Sequence, residues 1–259
     1  MDHRKRLDWA GKQLNALHEA IGVMANSQPC AFTTQFDTET AEYFVRIKDV
    51  TPYPEDWNLQ VGDIVHNIRA SLDNATYALA VKHSGVLSHG DMVKIQFPIC
   101  DTEAGFRHPQ KGQRARRLYK LSSDAQAAIE LFQPYTRPDK SRTSILAVLR
   151  DLSNIDKHRH ILLTSSVAMN TSMELRGPGI QPGTMIQTYR GPLIPGTVVA
   201  NWRFDPPILH PKVKMKFKYT FDVDFPEGTP GELNSVYLLL HAMIEHIAED
   251  VLPPLEALM

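Results

Sequence analysis

Two polar stretches of the chain carry side chains that could do chemistry together. In GDIVHNIRASLDNATYAL, four polar residues recur at steps of three, four and four: His66, Arg69, Asp73 and Tyr77. That spacing places them on one face of a helix, where each can form hydrogen bonds. In LSNIDKHRHILL, an amide, a carboxylate and several cations precede an apolar segment. Imidazole suits proton transfer near neutral pH, and fixed cations stabilise negative charge such as that of a phosphate.

The second stretch is predicted to lie at the end of another helix. Arg150, Asn154 and His158 stand at positions i, i+4 and i+8, and Lys157 lies beside them. We expect these side chains to share the face opposite the apolar residues of that helix.

Asp156 is predicted to rotate toward the apolar side of the same helix. An unpaired buried carboxylate is very costly, so Asp156 needs a cationic partner. Arg159, three residues further on, is one candidate. Arg69, on the helix predicted for the first stretch, is the other candidate.

Both stretches also have a purely structural interpretation. Arg69 and Asp73 could form an ordinary i,i+4 ion pair, which contributes about 0.3–0.5 kcal/mol when exposed. Lys157, His158 and Arg159 could complement the negative end of a helix dipole. The residue types leave both interpretations open.

A third segment could contact nucleic acid. Residues 107–120 contain six Lys or Arg and no Asp or Glu, and Tyr119 could stack on a base. Three arginines of this segment are candidate RNA-binding residues: Arg114, Arg116 and Arg117. Such a run is also typical of a solvated loop.

Hydrophobic periodicity predicts an α+β fold, with a helical bundle and an antiparallel β-sheet insertion. Helices are predicted at about residues 2–25, 56–82, 123–132, 143–158 and 230–252. Strands are predicted at about residues 31–38, 41–50, 160–169, 185–190, 198–204 and 212–225. Residues 84–121 are predicted to be mostly loop.

The order of these elements suggests a domain organisation. Residues 1–159 are predicted to form the bundle, with a short hairpin near its start, and residues 160–225 to form the sheet insertion. Residues 226–259 are predicted to form a C-terminal helix that packs back on the bundle. The TPGE sequence, Thr229 to Glu232, predicts the start of that helix by a capping box, and Pro253 and Pro254 predict its end.

Composition limits the classes of function. The chain has 259 residues and a net charge of −1, which gives no general attraction to nucleic acid or membranes. Two cysteines without zinc-type spacing favour a reducing, cytoplasmic location, and no apolar run is long enough to span a bilayer. The HxxxEH sequence at residues 241–246 fits no zinc pattern, so we expect no metal and no cofactor.

GDIVHNIRASLDNATYAL followed by NIDKHR resembles helical proteins of the HEPN type, over about residues 56–163. Many members of that class are metal-independent endoribonucleases of bacterial toxin–antitoxin and phage-defence systems. Their signature places Arg and His on one helix, closer together in sequence than Arg150 and His158 stand here.

The resemblance implies RNA as the partner and cleavage by the RNA's own 2′-hydroxyl. His158 would transfer the proton, the cations would bind the phosphate, and Asn154 would orient it. The candidate catalytic residues are His158, Arg69, Asn154, Lys157 and Arg159. Beyond the three arginines named above, the candidate binding residues are His66, Asp73 and Asp156.

A second hypothesis comes from a different class of function. The chain could be a non-catalytic binding module whose helices form a homodimer surface and whose sheet recognises a partner. The His, Arg and Asp cluster would then be a closed structural network of salt bridges.

Overall fold

The computed structural model describes residues 2–40, 42–136, 144–158, 161–176, 184–203, 212–231 and 234–259. Within these ranges the chain has the predicted α+β fold. It divides into two units. Unit 1 comprises Met1–Leu17, Glu55–Leu162 and Glu227–Met259, and unit 2 comprises His18–Pro54 and Leu163–Pro226.

The described elements follow one another along the chain. The helices are α1 (Asp2–Asn26), α2 (Asp56–Ser84), α3 (His89–Lys94), α4 (Glu103–Arg107), α5 (Gln113–Arg117), α6 (Ser123–Glu130), α7 (Ile145–His158), α8 (Val236–His246) and α9 (Leu252–Glu256). The strands are β1 (Cys30–Asp37), β2 (Glu42–Val50), β3 (Thr164–Arg176), β4 (Thr184–Pro192), β5 (Val198–Arg203) and β6 (Lys212–Asp224). No helix in the described part of the chain is both long and apolar enough to cross a membrane.

Helix α2 is the central helix of unit 1. One side of it is an apolar stripe, since side chains such as Ile64, Ile68 and Leu72 are fully buried. It packs against α7, α8 and α9. The burial of a large apolar stripe fixes the rotation of α2, and therefore the direction of its polar residues.

A glycine on α2 leaves room for a side chain of α7. Gly62 is buried, and a Cβ atom at that position would overlap Oδ1 of Asp156. The carboxylate of Asp156 therefore lies directly over the backbone of α2. This contact joins the two helices that carry most of the polar residues singled out in the sequence.

Unit 2 contains two three-stranded antiparallel sheets. One has the strand order β1-β2-β5, and the other has the order β4-β3-β6. The sequence placed the β1–β2 hairpin with the bundle of residues 1–159, but β2 pairs with β5, so the hairpin lies in unit 2. Strand propensity does not reveal which distant strand will cover a hairpin edge.

Residues 84–121 contain more helix than predicted. Short helices α3, α4 and α5 lie where a loop was expected. Helix α3 begins with a capping box between Ser88 and Asp91, and α4 begins with the Thr102 hydroxyl accepting from the Gly105 amide. The prediction missed these three helices because helices of five or six residues are too short to show hydrophobic periodicity.

The C-terminal helix differs from its prediction at both ends. It begins at Val236 rather than near residue 230, and Glu232 of the predicted capping box lies outside the described residues. At the other end, helical turns continue past Pro253 and Pro254. A π-helical turn at Ile247–Val251 precedes them, so the prolines occupy the first turn of α9, where the missing amide hydrogens are tolerated.

Replacing Gly62 by alanine is expected to destabilise unit 1 by about 1 kcal/mol, because the new Cβ atom would displace the Asp156 carboxylate from its position over α2. Adding Asp156→Ala should recover part of this loss by removing the overlapping carboxylate. Urea unfolding measures both effects.

Gly11 in α1 is the matched control for this substitution. No heavy atom lies within 4 Å of the position that its Cβ atom would occupy. Gly11→Ala should stabilise the protein by about 0.5–1 kcal/mol through helix propensity alone. Equal unfolding midpoints for Gly62→Ala and wild type would contradict the close contact between the Asp156 carboxylate and α2.

Candidate functional site

A cationic cleft of about 520 Å³ lies within unit 1. It is lined by α2, by residues 96–102, by α4 and α5, and by α7. Among the described residues that line it, one is acidic, Asp101, and four are cationic. The cationic residues are Arg69, Arg117, Arg150 and Lys157. We call this cavity the cationic cleft and residues 96–102 its wall segment.

The first anchor of the wall segment is the polar face of α2. Arg69 Nη2 donates to Asp73 Oδ1 at 2.8 Å and to the carbonyl oxygen of Phe97. The amide of Phe97 donates to the same Asp73 oxygen at 2.8 Å. The i,i+4 pair therefore binds both backbone polar groups of a residue whose side chain is fully buried.

The second anchor is a buried glutamine. The Gln133 side chain is only 1% exposed, and its Nε2 donates to the carbonyl oxygen of Pro98 at 2.9 Å. Its Oε1 accepts from the amide of Cys100 at 2.9 Å. Gln133 was not predicted from the sequence, because a neutral amide just beyond a helix end has no pattern that marks it as buried.

The third anchor is Arg150 on α7. Its Nη1 donates to Asp101 Oδ2 and its Nε donates to Asp151 Oδ1, each at 2.7 Å. The hydrogen bond that Arg150 donates to Asp151, and after it the one to Asp101, raises the pKa of the Arg150 guanidinium above its ordinary value. Arg150 therefore keeps its positive charge while it lines the cationic cleft.

Helix α7 presents a contiguous polar face to the cationic cleft. Arg150, Ser153, Asn154 and Lys157 line it at positions i, i+3, i+4 and i+7. At 100° per residue, Lys157 lies within about 20° of Arg150 around the helix, whereas His158 is turned away by about 80°. His158 is exposed at the end of α7 and does not belong to the described lining of the cleft.

Two other residues of the predicted site lie elsewhere. His66 is exposed on α2 and is not among the described residues that line the cationic cleft. Asp156 lies against Gly62, and the carboxylate that pairs with Arg69 is that of Asp73. Arg159 lies outside the described residues, so its place in the site is a prediction only.

One of the three predicted RNA-binding arginines lines the cationic cleft. Arg117 donates from Nε to Gln113 Oε1 at 3.3 Å and from Nη1 to the carbonyl oxygen of Lys94 at 3.2 Å. Arg114 is exposed and donates to Gln126. Arg116 is exposed and lines an adjacent cavity.

A buried thiol completes the wall segment. Desolvation raises the pKa of Cys100 to about 11, so the thiol is protonated at neutral pH. The Cys100 side chain therefore contributes an uncharged surface to the cleft rather than a reactive thiolate.

Within the described ranges, no group of three or more His, Cys, Asp or Glu residues is placed to hold a metal ion. Comparison with protein-family models, curated protein sequences and solved structures found no significant match to the chain. The chemical nature of the cationic cleft is accordingly inferred from its own residues.

Removing the Asp73 carboxylate should loosen the wall segment. Asp73→Ala leaves the Arg69 guanidinium without its paired carboxylate and the Phe97 amide without its acceptor, at a cost of about 1–3 kcal/mol in unfolding free energy. Hydrogen exchange at the Phe97 amide should accelerate in the same variant.

Asp63 provides a control on the same helix, since its side chain is exposed. Asp63→Ala should change the unfolding free energy by no more than about 0.5 kcal/mol. If the two variants unfold at the same urea concentration, the Asp73 carboxylate does not hold the wall segment.

Proposed function

We propose that the protein binds RNA and that the cationic cleft is its phosphate-binding site. One observation carries the proposal: three guanidinium groups and one ammonium group, from three separate parts of the chain, line a single cavity with one carboxylate among its described lining. The HEPN-like resemblance of residues 56–163 favours RNA over other phosphate-bearing ligands.

The arginines of the cleft are held in place yet retain donors. In its described hydrogen bonds Arg150 uses Nε and Nη1, and Arg117 likewise uses Nε and Nη1. Each guanidinium has five N–H groups, so the Nη2 atoms can donate to phosphate oxygens. Because these side chains are already ordered, binding an anion costs little further side-chain entropy.

The remaining polar residues suit a phosphodiester. Lys157 and Asn154 are exposed on the α7 face of the cleft, where an ammonium group and an amide can contact adjacent phosphate oxygens. The net charge of −1 does not attract RNA to the protein as a whole. RNA binding therefore depends on this local set of charges. A ligand that contacts several of them should bind with strong salt dependence.

A second candidate function is metal-independent cleavage of the bound RNA, as in the toxin and phage-defence nucleases that the sequence resembles. His158 favours it, since it is exposed, follows Lys157 directly and is the last residue of α7. An imidazole there could transfer protons during attack by the 2′-hydroxyl. Because His158 does not line the cleft, we place binding first and cleavage second.

Lys157→Ala should weaken binding of single-stranded RNA about three- to tenfold near 0.1 M salt, because one phosphate contact is lost. The slope of log affinity against log salt should fall by about 0.7. Fluorescence anisotropy with a labelled oligonucleotide measures both quantities.

The matched control is Lys12→Ala, which removes one exposed positive charge from α1, outside the described lining of the cleft. Its affinity should stay within about twofold of wild type. Binding by Lys157→Ala that equals wild type, or an equal loss in Lys12→Ala, would refute the cationic cleft as the RNA site.

Cleavage is tested separately by incubating RNA with the purified protein in EDTA. The second candidate function predicts cleavage by wild type and its loss in His158→Ala, with RNA binding retained. Equal cleavage by both proteins, or by neither, would remove His158 from any mechanism and leave RNA binding as the function.

A further inference from the structure

We infer that the RNA bound by this protein is single-stranded and that it runs from the cationic cleft into an adjacent cavity, where a base stacks on Tyr119. The inference rests on the proposed function and extends it to the form of the ligand. The adjacent cavity, which we call the Tyr119 cavity, has a volume of about 480 Å³. Its described lining is Asp91, Lys94, Ala115, Arg116, Arg117 and Tyr119.

Arg117 joins the two cavities. Its side chain lines both the cationic cleft and the Tyr119 cavity. Each cavity falls in the size range of small-molecule sites, about 300–1,000 Å³, so each can receive a nucleotide-sized group. A phosphate bound at Arg117 would therefore lie between a nucleotide in one cavity and a nucleotide in the other.

The aromatic ring in the second cavity is exposed and held in position. Tyr119 is 40% exposed, and its hydroxyl donates to Asp91 Oδ1 at 2.5 Å. Asp91 is itself held by the Ser88 hydroxyl at 2.8 Å. A ring restrained in this way loses little conformational freedom when a base stacks on it.

The charges around this ring suit a nucleic-acid backbone. Lys94 and Arg116 are exposed in the lining. Lys120 lies 3.8 Å from the Asp91 carboxylate, so the negative charge beside the ring is compensated. The cavity thus combines cations with an aromatic surface, the pairing that binds single strands through phosphates and bases together.

The same geometry disfavours duplex RNA. In an A-form duplex the base faces are stacked on one another, and a tyrosine cannot reach them without breaking the stack. A single strand offers unstacked bases at no such cost. The position of Tyr119 beside Arg117 therefore selects single-stranded over double-stranded RNA.

The test measures anisotropy with labelled RNA of about eight nucleotides, long enough to span both cavities. Tyr119→Leu should weaken binding about tenfold, whereas Tyr119→Phe, which keeps the ring, should stay within about threefold of wild type. Tyr77→Leu is the control, since Tyr77 is exposed on α2 and lies outside the described lining of both cavities.

A second comparison uses only wild-type protein and so does not depend on the folding of a variant. An abasic strand of the same length keeps its phosphates but has no base to stack. It should bind about tenfold more weakly than the normal strand. The two strands should bind Tyr119→Leu with nearly equal affinity.

The outcomes separate this inference from the proposed function. Suppose that Lys157→Ala weakens binding, that Tyr119→Leu binds RNA as tightly as wild type does, and that the abasic strand binds as tightly as the normal strand. The inference then fails, and the cationic cleft remains the RNA site. Duplex RNA that binds as tightly as the single strand also overturns the inference. If wild type binds no RNA, the proposed function fails as well.

Discussion

The Arg69–Asp73 pair binds the amide and the carbonyl group of Phe97, and the shape of the cationic cleft depends on that contact. Phe97 is buried, so its backbone groups need partners within the protein. One ion pair on helix α2 supplies both of these partners. The rotation of α2 is in turn set by its buried apolar stripe. Gln133 and Arg150 then hold the following residues of the wall segment. The packing of the apolar stripe of α2 in the core therefore positions the polar surface of the cationic cleft.

Placing several cations around one cavity is unfavourable unless neighbouring charges compensate for them. Here carboxylates lie beside two of the three guanidinium groups: Asp73 pairs with Arg69, and Asp101 and Asp151 pair with Arg150. These contacts order the side chains before any ligand arrives, and a polyanion meets donors that are already oriented. The structural interpretation of Arg69 as an i,i+4 ion pair with Asp73 is confirmed, and the proposed RNA site would use donors that the same contacts orient.

Much of this arrangement follows from helical periodicity, and the rest depends on contacts that periodicity does not encode. The spacing of apolar residues predicted α2 and α7, and the resulting polar faces bring Arg69, Asn154 and Lys157 to one cleft. His158 was predicted to share this face because it follows Arg150 by eight residues, a little over two helical turns. At 100° per residue, however, it is rotated by about 80° from Arg150. The wall segment and Gln133 were missed because their contacts join irregular segments that lie far apart in sequence.

The central claim is that the guanidinium groups of the cationic cleft contact RNA phosphate. The most direct measurement follows the arginine Nε–Hε signals by NMR during titration with single-stranded RNA. The signals of Arg117 and Arg150 should shift and saturate together, while that of Arg46, which donates to the carbonyl oxygen of Gly196 in unit 2, should not move. RNA that binds without shifting the Arg117 and Arg150 signals would contradict the account.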